Sequence, residues 1–178
     1  MTRFSFFLFC LAAVQLGQVA TPSAVVASSA VRPPIGMQLF CLKNPDQCQQ
    51  SPQKSIELTP ALLRTLNATN RAVNRAITAR ADFGDTWEID GPYGDCEDYA
   101  LTKRAELMDK GIPSGSLVMA YTRTRSGEGH AVLLVRTTEG DLVLDNLYVS
   151  IKPLQDTGYR IISRSNPNSL YWETADLN

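Results

Sequence analysis

The chain has 178 residues, which is enough for one domain of ordinary size. Its 17 Lys and Arg residues against 18 Asp and Glu residues give a net charge of −1, so no basic excess points to a nucleic-acid partner. Hydrophobic residues make up 44% of the chain, which supports a folded core and argues against intrinsic disorder.

The N-terminal segment has the pattern of a secretory signal peptide. A positive charge precedes the almost wholly apolar residues 4–16, and small residues suited to cleavage follow over 20–30. The apolar run is shorter than the roughly 20 residues that span a bilayer, although an uncleaved anchor is the alternative. We therefore expect a signal peptide over 1–27 and a single domain over 28–178. That domain would be periplasmic or secreted, without a membrane span.

Three cysteines remain after the signal peptide: Cys41, Cys48 and Cys96. In an oxidising compartment an odd number leaves one disulfide and one free thiol. The segment between Cys41 and Cys48 contains Asn, Pro and Asp, which form turns, so these two cysteines are the expected pair. The free thiol of Cys96 is then either a nucleophile or an inert buried group.

The first predicted helix follows a leader. Residues 28–40 contain Ser, Pro and Gly and indicate extended chain. Thr59 is a suitable N-cap and is followed by proline, and apolar residues recur at helical spacing from there to Arg80. Asn70 and Asn74 share one face of this helix, where they are either exposed or bound to a neighbouring loop.

A glycine-rich loop and a second helix come next. Residues 81–94 contain three glycines and a proline and predict a loop, with Trp87 as a core anchor or a wall of a cleft. Asp95 is a suitable N-cap for a helix whose first turn contains Cys96 and two acids. Gly111, followed closely by proline, ends this helix.

The remainder of the chain has the spacing of strands. Strands are predicted over residues 117–124, 130–136, 141–147 and 159–164, with a short one at 171–172. The second is apolar on both faces and is therefore expected at the centre of a sheet. Helices followed by antiparallel strands predict an α+β domain.

Cys96, His130 and Asp145 form a candidate catalytic set. A helix N-terminus favours the thiolate form of a cysteine, and His130 is the only histidine in the chain. Thiol, imidazole and carboxylate in this order suit a papain-like thiol enzyme. His130 and Asp145 are separated by an odd number of residues, so a hairpin would place both on one face. Direct opposition would require a turn centred on Thr137 and Thr138.

These residues resemble those of the bacterial transglutaminase-like cysteine proteinases. The resemblance covers roughly residues 40–173. Its most specific block is Gly-Asp-Cys-Glu-Asp-Tyr-Ala at 94–100, accompanied by Gly-His-Ala-Val-Leu at 129–133 and Val-Leu-Asp-Asn at 143–146. The other positions that fit the family are Asn70, Asn74, Trp87, Tyr159 and Trp172.

The resemblance implies a papain-like, transglutaminase-core fold with N-terminal helices packed on an antiparallel sheet. It also implies a catalytic triad of Cys96, His130 and Asp145. The best-understood branch, the LapG-like proteases, is periplasmic and calcium-dependent and cleaves surface adhesins. This chain is more similar to the small stand-alone members, whose substrates are mostly undefined.

The expected function is an exported thiol peptidase. It would cleave a peptide amide of a protein or peptide substrate through an acyl-enzyme on Cys96, a reaction that requires no cofactor. Acyl transfer to an amine is an alternative, because an amine resolves an acyl-enzyme as water does. A non-catalytic periplasmic binding module on the same fold is the other alternative.

The acidic residues around Cys96 raise the question of calcium. Asp95, Glu97 and Asp98 lie within two residues of the thiol, and their negative charge disfavours a thiolate. A calcium ion would offset this charge, and the resemblance to the calcium-dependent branch points to Asp95 and Glu97 as ligands. The alternative is that the three acids are ordinary residues of a helix start.

Overall fold

The structure is a computed structural model that describes Met1 and residues 29–81 and 84–174. The predicted signal peptide lies outside the described residues, apart from Met1. Within the described ranges, no helix is long and apolar enough to cross a membrane.

The described chain contains three α-helices and nine short or medium strands. The helices are α1 (Ile35–Lys43), α2 (Pro60–Ala76) and α3 (Cys96–Asp109). The strands are β1 (Ala30–Val31), β2 (Thr78–Ala79), β3 (Tyr93–Gly94), β4 (Leu117–Arg123), β5 (Gly129–Thr137), β6 (Gly140–Leu144), β7 (Lys152–Pro153), β8 (Ser163–Ser165) and β9 (Trp172–Thr174).

Seven of these strands form one antiparallel sheet in the order β1-β9-β8-β4-β5-β6-β7. The remaining two, β2 and β3, form a small parallel pair. The fold is therefore α+β, as the sequence predicts.

The two predicted helix starts are confirmed. The Thr59 side chain accepts a hydrogen bond from the Leu62 amide at 3.1 Å, and α2 begins at the following proline. Asp95 directly precedes α3, and the helix is followed by Gly111 with φ of +83°. The prediction that the first helix extends to Arg80 is wrong, because residues 78–79 leave the helix to pair with β3.

The prediction of an extended leader over residues 28–40 is wrong for its second half, where α1 forms. Met37 and Phe40 of α1 are buried in the core, and Gly36 lies against Trp87 so closely that a Cβ atom there would be 2.3 Å from the ring. Tertiary packing therefore stabilises a helix that local composition disfavours. The predicted disulfide between Cys41 and Cys48 joins α1 to the turn that follows it.

The sheet is buried on both faces at its centre. In β5, residues 130–135 are all buried. One set of alternate residues, which includes Leu133, packs with Leu101 and Leu107 of α3, and the other packs with Tyr159 and Ile161. This confirms the prediction of a central strand and places α3 directly on it.

The register of the β5–β6 hairpin does not place His130 directly opposite Asp145. Thr137 pairs with Gly140, so the turn is centred one residue later than Thr137 and Thr138. Continued pairing would set Asp145 opposite Val132, two residues away from His130. The strand ends at Leu144, however, and Asp145 follows it outside the ladder. Both side chains still share one face, because the register differs by an even number of residues.

Two strands near the C-terminus also differ from prediction. The strand expected over residues 159–164 forms at 163–165 instead, and Tyr159 precedes it in irregular chain. The last strand begins at Trp172 and extends to Thr174. Its partner on one side is β1, which the sequence did not predict.

Candidate active site

Cys96 is the first residue of α3 and has a free thiol. The backbone amide of Ala131 donates a hydrogen bond to its Sγ at 3.3 Å. The thiol in turn lies 3.2 Å from Oε2 of Glu97, to which it donates. The N-terminus of α3 therefore sits against the start of β5, next to the residue that follows His130.

His130 and Asp145 form a buried pair. Nε2 of His130 lies 2.9 Å from Oδ1 of Asp145, and the two side chains are 4% and 3% exposed. Because this bond occupies Nε2, the Nδ1 atom is the ring nitrogen left to exchange a proton with a reacting group. The structure thus places His130 in contact with Asp145, and it places the Cys96 thiol against the backbone of the residue that follows His130.

The carboxylate of Asp145 accepts two further hydrogen bonds. The Tyr159 hydroxyl donates to Oδ2 at 2.5 Å, and the Leu147 amide donates to Oδ1 at 2.9 Å. Burial raises the pKa of Asp145, but the bonds from His130, Tyr159 and Leu147 outweigh it, so the pKa lies below its ordinary value. Asp145 is therefore ionised at neutral pH.

Tyr159 contacts the candidate site, although the sequence assigned it no role there. Its ring lies 5.8 Å from the ring of His130 at an angle of 58°, so one side chain contacts both members of the pair. The only sequence signal was that its position fits the family resemblance. The bond from Tyr159 to Asp145 joins segments that lie 14 residues apart, and local sequence patterns do not reveal such a contact.

Asn70 and Asn74 of α2 hold the segment that follows Asp145, which we call the 145–149 loop. Nδ2 of Asn74 donates to the Asp145 carbonyl at 2.9 Å and to that of Tyr148 at 3.2 Å. Nδ2 of Asn70 donates to the carbonyls of Tyr148 and Val149 at 3.1 and 3.0 Å. Of the two interpretations of these asparagines, loop binding is therefore confirmed.

The resting thiol of Cys96 is electrostatically disfavoured as a thiolate. Burial, followed by the charge of Glu97, raises the pKa of Cys96 to about 12. Burial and a hydrogen bond with Asp95 likewise raise the pKa of Glu97 to about 8. In this arrangement the thiol keeps its proton, which it donates to the Glu97 carboxylate, and both burial and the neighbouring acids oppose formation of the thiolate.

The three acids around Cys96 have different surroundings. Asp98 is bonded within the fold, since its carboxylate accepts from the amides of Glu88 at 2.8 Å and Asp95 at 3.2 Å. Oδ1 of Asp95 is buried and has no hydrogen-bond partner among the described residues. Asp95 therefore has one oxygen left for a cation, whereas the adjacent Glu97 carboxylate already accepts from the Cys96 thiol and bonds with Asp95.

Trp87 and Tyr93 have different roles beside this site. Trp87 is buried, and its ring lies 6.4 Å from that of Trp172, which makes it a core anchor. Tyr93 is exposed three residues before Cys96, and the Arg80 guanidinium lies 4.0 Å above its ring. Of the two, Tyr93 is the one available to border a cleft.

The fold is similar to those of solved LapG structures from Legionella pneumophila. The calcium-bound form is 22% identical, with a TM-score of 0.56 over 68% of this chain and 73% of that one. The EGTA-treated form is 25% identical, with a TM-score of 0.57 over 67% and 70%. These similarities support the transglutaminase-core fold. No curated protein matches the sequence.

A family model provides the wider match. The model of the bacterial transglutaminase-like cysteine proteinases (BTLCP) matches residues 27–177, almost the whole of the predicted mature domain. The family consists of cysteine proteinases, so its substrates are proteins. With this match and the LapG-like fold, the chain belongs to the bacterial transglutaminase-like cysteine proteinase family.

Proposed function

We propose that the protein is an exported cysteine peptidase in which Cys96, His130 and Asp145 form the catalytic triad. The observation that carries this proposal is the buried 2.9 Å hydrogen bond between His130 and Asp145. Next to this pair, the Cys96 thiol accepts a hydrogen bond from the Ala131 amide. A periplasmic or secreted location is supported by the signal-peptide pattern and by the Cys41–Cys48 disulfide, which suits an oxidising compartment.

The reaction follows from the roles that these groups can take. Nδ1 of His130 accepts the thiol proton as Sγ of Cys96 attacks the carbonyl carbon of a peptide bond. The carbon–nitrogen bond then breaks, the imidazolium returns the proton to the leaving amine, and a thioester remains on Cys96. Water, activated by the imidazole, attacks the thioester, releases the acid and restores the thiol. Asp145 fixes the tautomer and stabilises the imidazolium.

The developing oxyanion requires hydrogen-bond donors close to Cys96. The amide of Cys96 itself is a suitable donor, because amides of the first helical turn have no partner within the helix. A second donor is expected from the loop that leads into the helix, which ends in Tyr93 and Gly94. We prefer peptide hydrolysis to a purely binding role, because the thiol, the imidazole, the carboxylate and a backbone donor are all present.

We further propose that Asp95 and Glu97 bind calcium. The unpartnered Oδ1 of Asp95 and the adjacent Glu97 carboxylate are oxygen ligands of the kind that Ca²⁺ prefers. Among the described residues no group of three acidic, histidine or cysteine side chains converges on one point, so carbonyls and water would complete the shell. A cation held there would neutralise the charge that opposes the Cys96 thiolate.

Calcium removal tests this second proposal. We expect a calcium chelator to lower both the melting temperature and the rate at which iodoacetamide alkylates Cys96, and added calcium to restore both. An Asp95→Asn, Glu97→Gln double variant should lose the response to calcium. Equal melting and labelling with and without chelator would show that the two acids serve only the start of the helix.

The peptidase proposal is tested by comparing protein N-termini in the exported fraction. Cells producing the wild-type protein should contain new free N-termini that are absent from cells producing Cys96→Ala or His130→Ala. New isopeptide or amine adducts without new N-termini would instead indicate acyl transfer. No difference between the strains, together with slow alkylation of Cys96 at neutral pH in the presence of calcium, would favour a binding module.

A further inference from the structure

Lys103 is completely buried in α3, the helix that begins with Cys96. Its side chain is 0% exposed, and its Nζ atom has no hydrogen-bond partner among the described residues. Burial of an isolated ammonium group is strongly unfavourable, so buried lysines are normally paired or hydrogen-bonded. The peptidase mechanism does not use Lys103, and its position therefore requires another explanation.

The Lys103 side chain is on the face of α3 that points to α2. Tyr99, four residues earlier, shares this face, and Nζ of Lys103 lies 5.8 Å from the centre of the Tyr99 ring. Tyr99 packs against Val73 and Ile77, and its hydroxyl donates to the Ile77 carbonyl at 2.7 Å. Lys103 is therefore enclosed where α3 packs on the helix that holds the 145–149 loop.

Most of the other unpartnered buried atoms belong to the same layer. α2 and the 145–149 loop contribute four oxygens that are buried and have no hydrogen-bond partner among the described residues. They are Thr69 Oγ1, Asn70 Oδ1, Asn74 Oδ1 and Asn146 Oδ1. An ammonium group has three N–H donors and no acceptor, so these oxygens and Lys103 are complementary. Buried polar groups in such a layer are commonly joined by ordered water.

The charged group that acts on Lys103 is Asp145. Burial lowers the pKa of Lys103 to about 7, and the negative charge of Asp145 opposes this decrease. The other titratable groups near Lys103 and Asp145 are Tyr99, His130, Tyr148 and Tyr159, with the Cys96 thiol beside His130. The helix α2 contributes only neutral side chains to the layer. The Asp145 carboxylate is thus the anion that compensates the buried ammonium.

We propose that Lys103 is a positioning residue for the His130–Asp145 pair. Its ammonium group, joined by ordered water to the free side-chain oxygens of Asn70 and Asn74, balances the charge of the Asp145 carboxylate. The same asparagines hold the backbone of the 145–149 loop through their amide groups. Lys103 thereby acts on both the charge of the Asp145 side chain and the position of the Asp145 backbone. The catalytic consequence rests on the proposed function, whereas the coupling to His130 does not.

The single histidine makes this coupling directly measurable. NMR signals of the imidazole ring in a protein without a histidine tag can arise only from His130. In Lys103→Met, which keeps the length of the side chain and removes its charge, the titration midpoint of His130 should move to higher pH by roughly one pH unit, because a nearby positive charge no longer opposes the imidazolium. Lys110→Met, at the exposed end of the same helix, is the matched control and should leave the midpoint unchanged.

Two results would overturn the proposal. One is the same His130 titration in the wild-type protein and in Lys103→Met. The other concerns the wild-type protein alone and decides the matter even if the variant does not fold. There the His130 shifts should show a second titration step when Lys103 loses its proton, at some pH below that at which alkali unfolds the protein, and the absence of any second step over that whole range would show that the two groups are not coupled.

The melting temperature of Lys103→Met should lie below that of the wild type, because the variant leaves the buried Asp145 carboxylate without the charge that compensates it. Failure of the peptidase proposal would appear separately, as an absence of Cys96-dependent N-termini with the His130 coupling intact.

Discussion

Asp145 is the residue of the site that makes the largest number of hydrogen bonds. The carboxylate accepts hydrogen bonds from His130, Tyr159 and the Leu147 amide. The backbone carbonyl of Asp145 accepts a further hydrogen bond from Asn74. A buried carboxylate with so many donors is fixed in position and in charge. The orientation of the imidazole therefore depends on groups outside the Cys-His-Asp set.

Replacement of Tyr159 by Phe should test this dependence. Tyr159→Phe keeps the ring that packs on His130 and removes the hydroxyl that donates to Asp145. A hydrogen bond to a charged group contributes about 1.5–3 kcal/mol, so we expect a loss of that order in unfolding free energy and roughly a tenfold decrease in the rate of Cys96 alkylation. Tyr171→Phe, at an exposed tyrosine, is the control. Equal rates in both variants would mean that the hydroxyl does not position the pair.

The lowered pKa of Asp145 predicts a specific dependence of stability on pH. A carboxyl group whose pKa is lower in the folded state stabilises the protein above its unfolded pKa, and this contribution is lost as the pH decreases through the folded value. Wild-type protein should therefore exceed Asp145→Asn in unfolding free energy at pH 5.5, and the difference should shrink below about pH 4. Urea unfolding at several pH values provides the measurement. A difference that stays constant to pH 3 would contradict the ionised, bonded carboxylate.

At the scale of elements, α2 acts as a support for the 145–149 loop. Asn74→Ala removes the bonds to the Asp145 and Tyr148 carbonyls and should cost about 1–3 kcal/mol of unfolding free energy. It should also speed hydrogen exchange at the Leu147 amide, which donates to Asp145. Asn67→Ala is the matched control, since that side chain on the same helix bonds only to the Leu63 carbonyl. Equal exchange in the two variants would refute the support role.

Elements were predictable from the sequence where a local signal determines them. The starts of α2 and α3 have N-caps, and β5 has a continuous apolar run, so these three elements lie where the sequence places them. The candidate site residues were also predictable, because each occupies an element boundary and the family motif marks it. Parity alone placed the His130 and Asp145 side chains on one face of the hairpin.

The remaining features depend on contacts between distant segments. α1 forms because it packs against Trp87 and is linked by the disulfide to the turn that follows it. Neither contact can be inferred from the composition of residues 35–43. The burial of Lys103 contradicts the usual behaviour of lysine and follows only from its place between α3 and α2. The hairpin register depends on which turn closes it, and two adjacent choices were compatible with the same apolar pattern.

At the scale of the whole molecule, the disulfide stabilises one end of the fold. It closes a loop of about eight residues, for which about 2–3 kcal/mol of stabilisation is expected. A Cys41→Ala, Cys48→Ala double variant should lose this amount in urea unfolding while Cys96 remains as reactive as in the wild type. Mass spectrometry without reductant should find Cys41 linked to Cys48 and Cys96 alkylated. A bridge from Cys96 to either cysteine would exclude it as the resting nucleophile.

The pairing of β1 with β9 joins two segments that are far apart in the chain. Ala30 lies opposite Glu173, and the Thr174 amide donates to the Ser29 carbonyl across 145 positions of sequence. This edge of the sheet cannot form until nearly the whole chain has been synthesised and is free to fold, because both partners must be present. Since β1 begins at Ala30, directly behind the signal peptide predicted over 1–27, a chain still held by its leader during translocation would lack this closure. Completion of the sheet is thus the step that we expect to separate the export-competent chain from the finished enzyme.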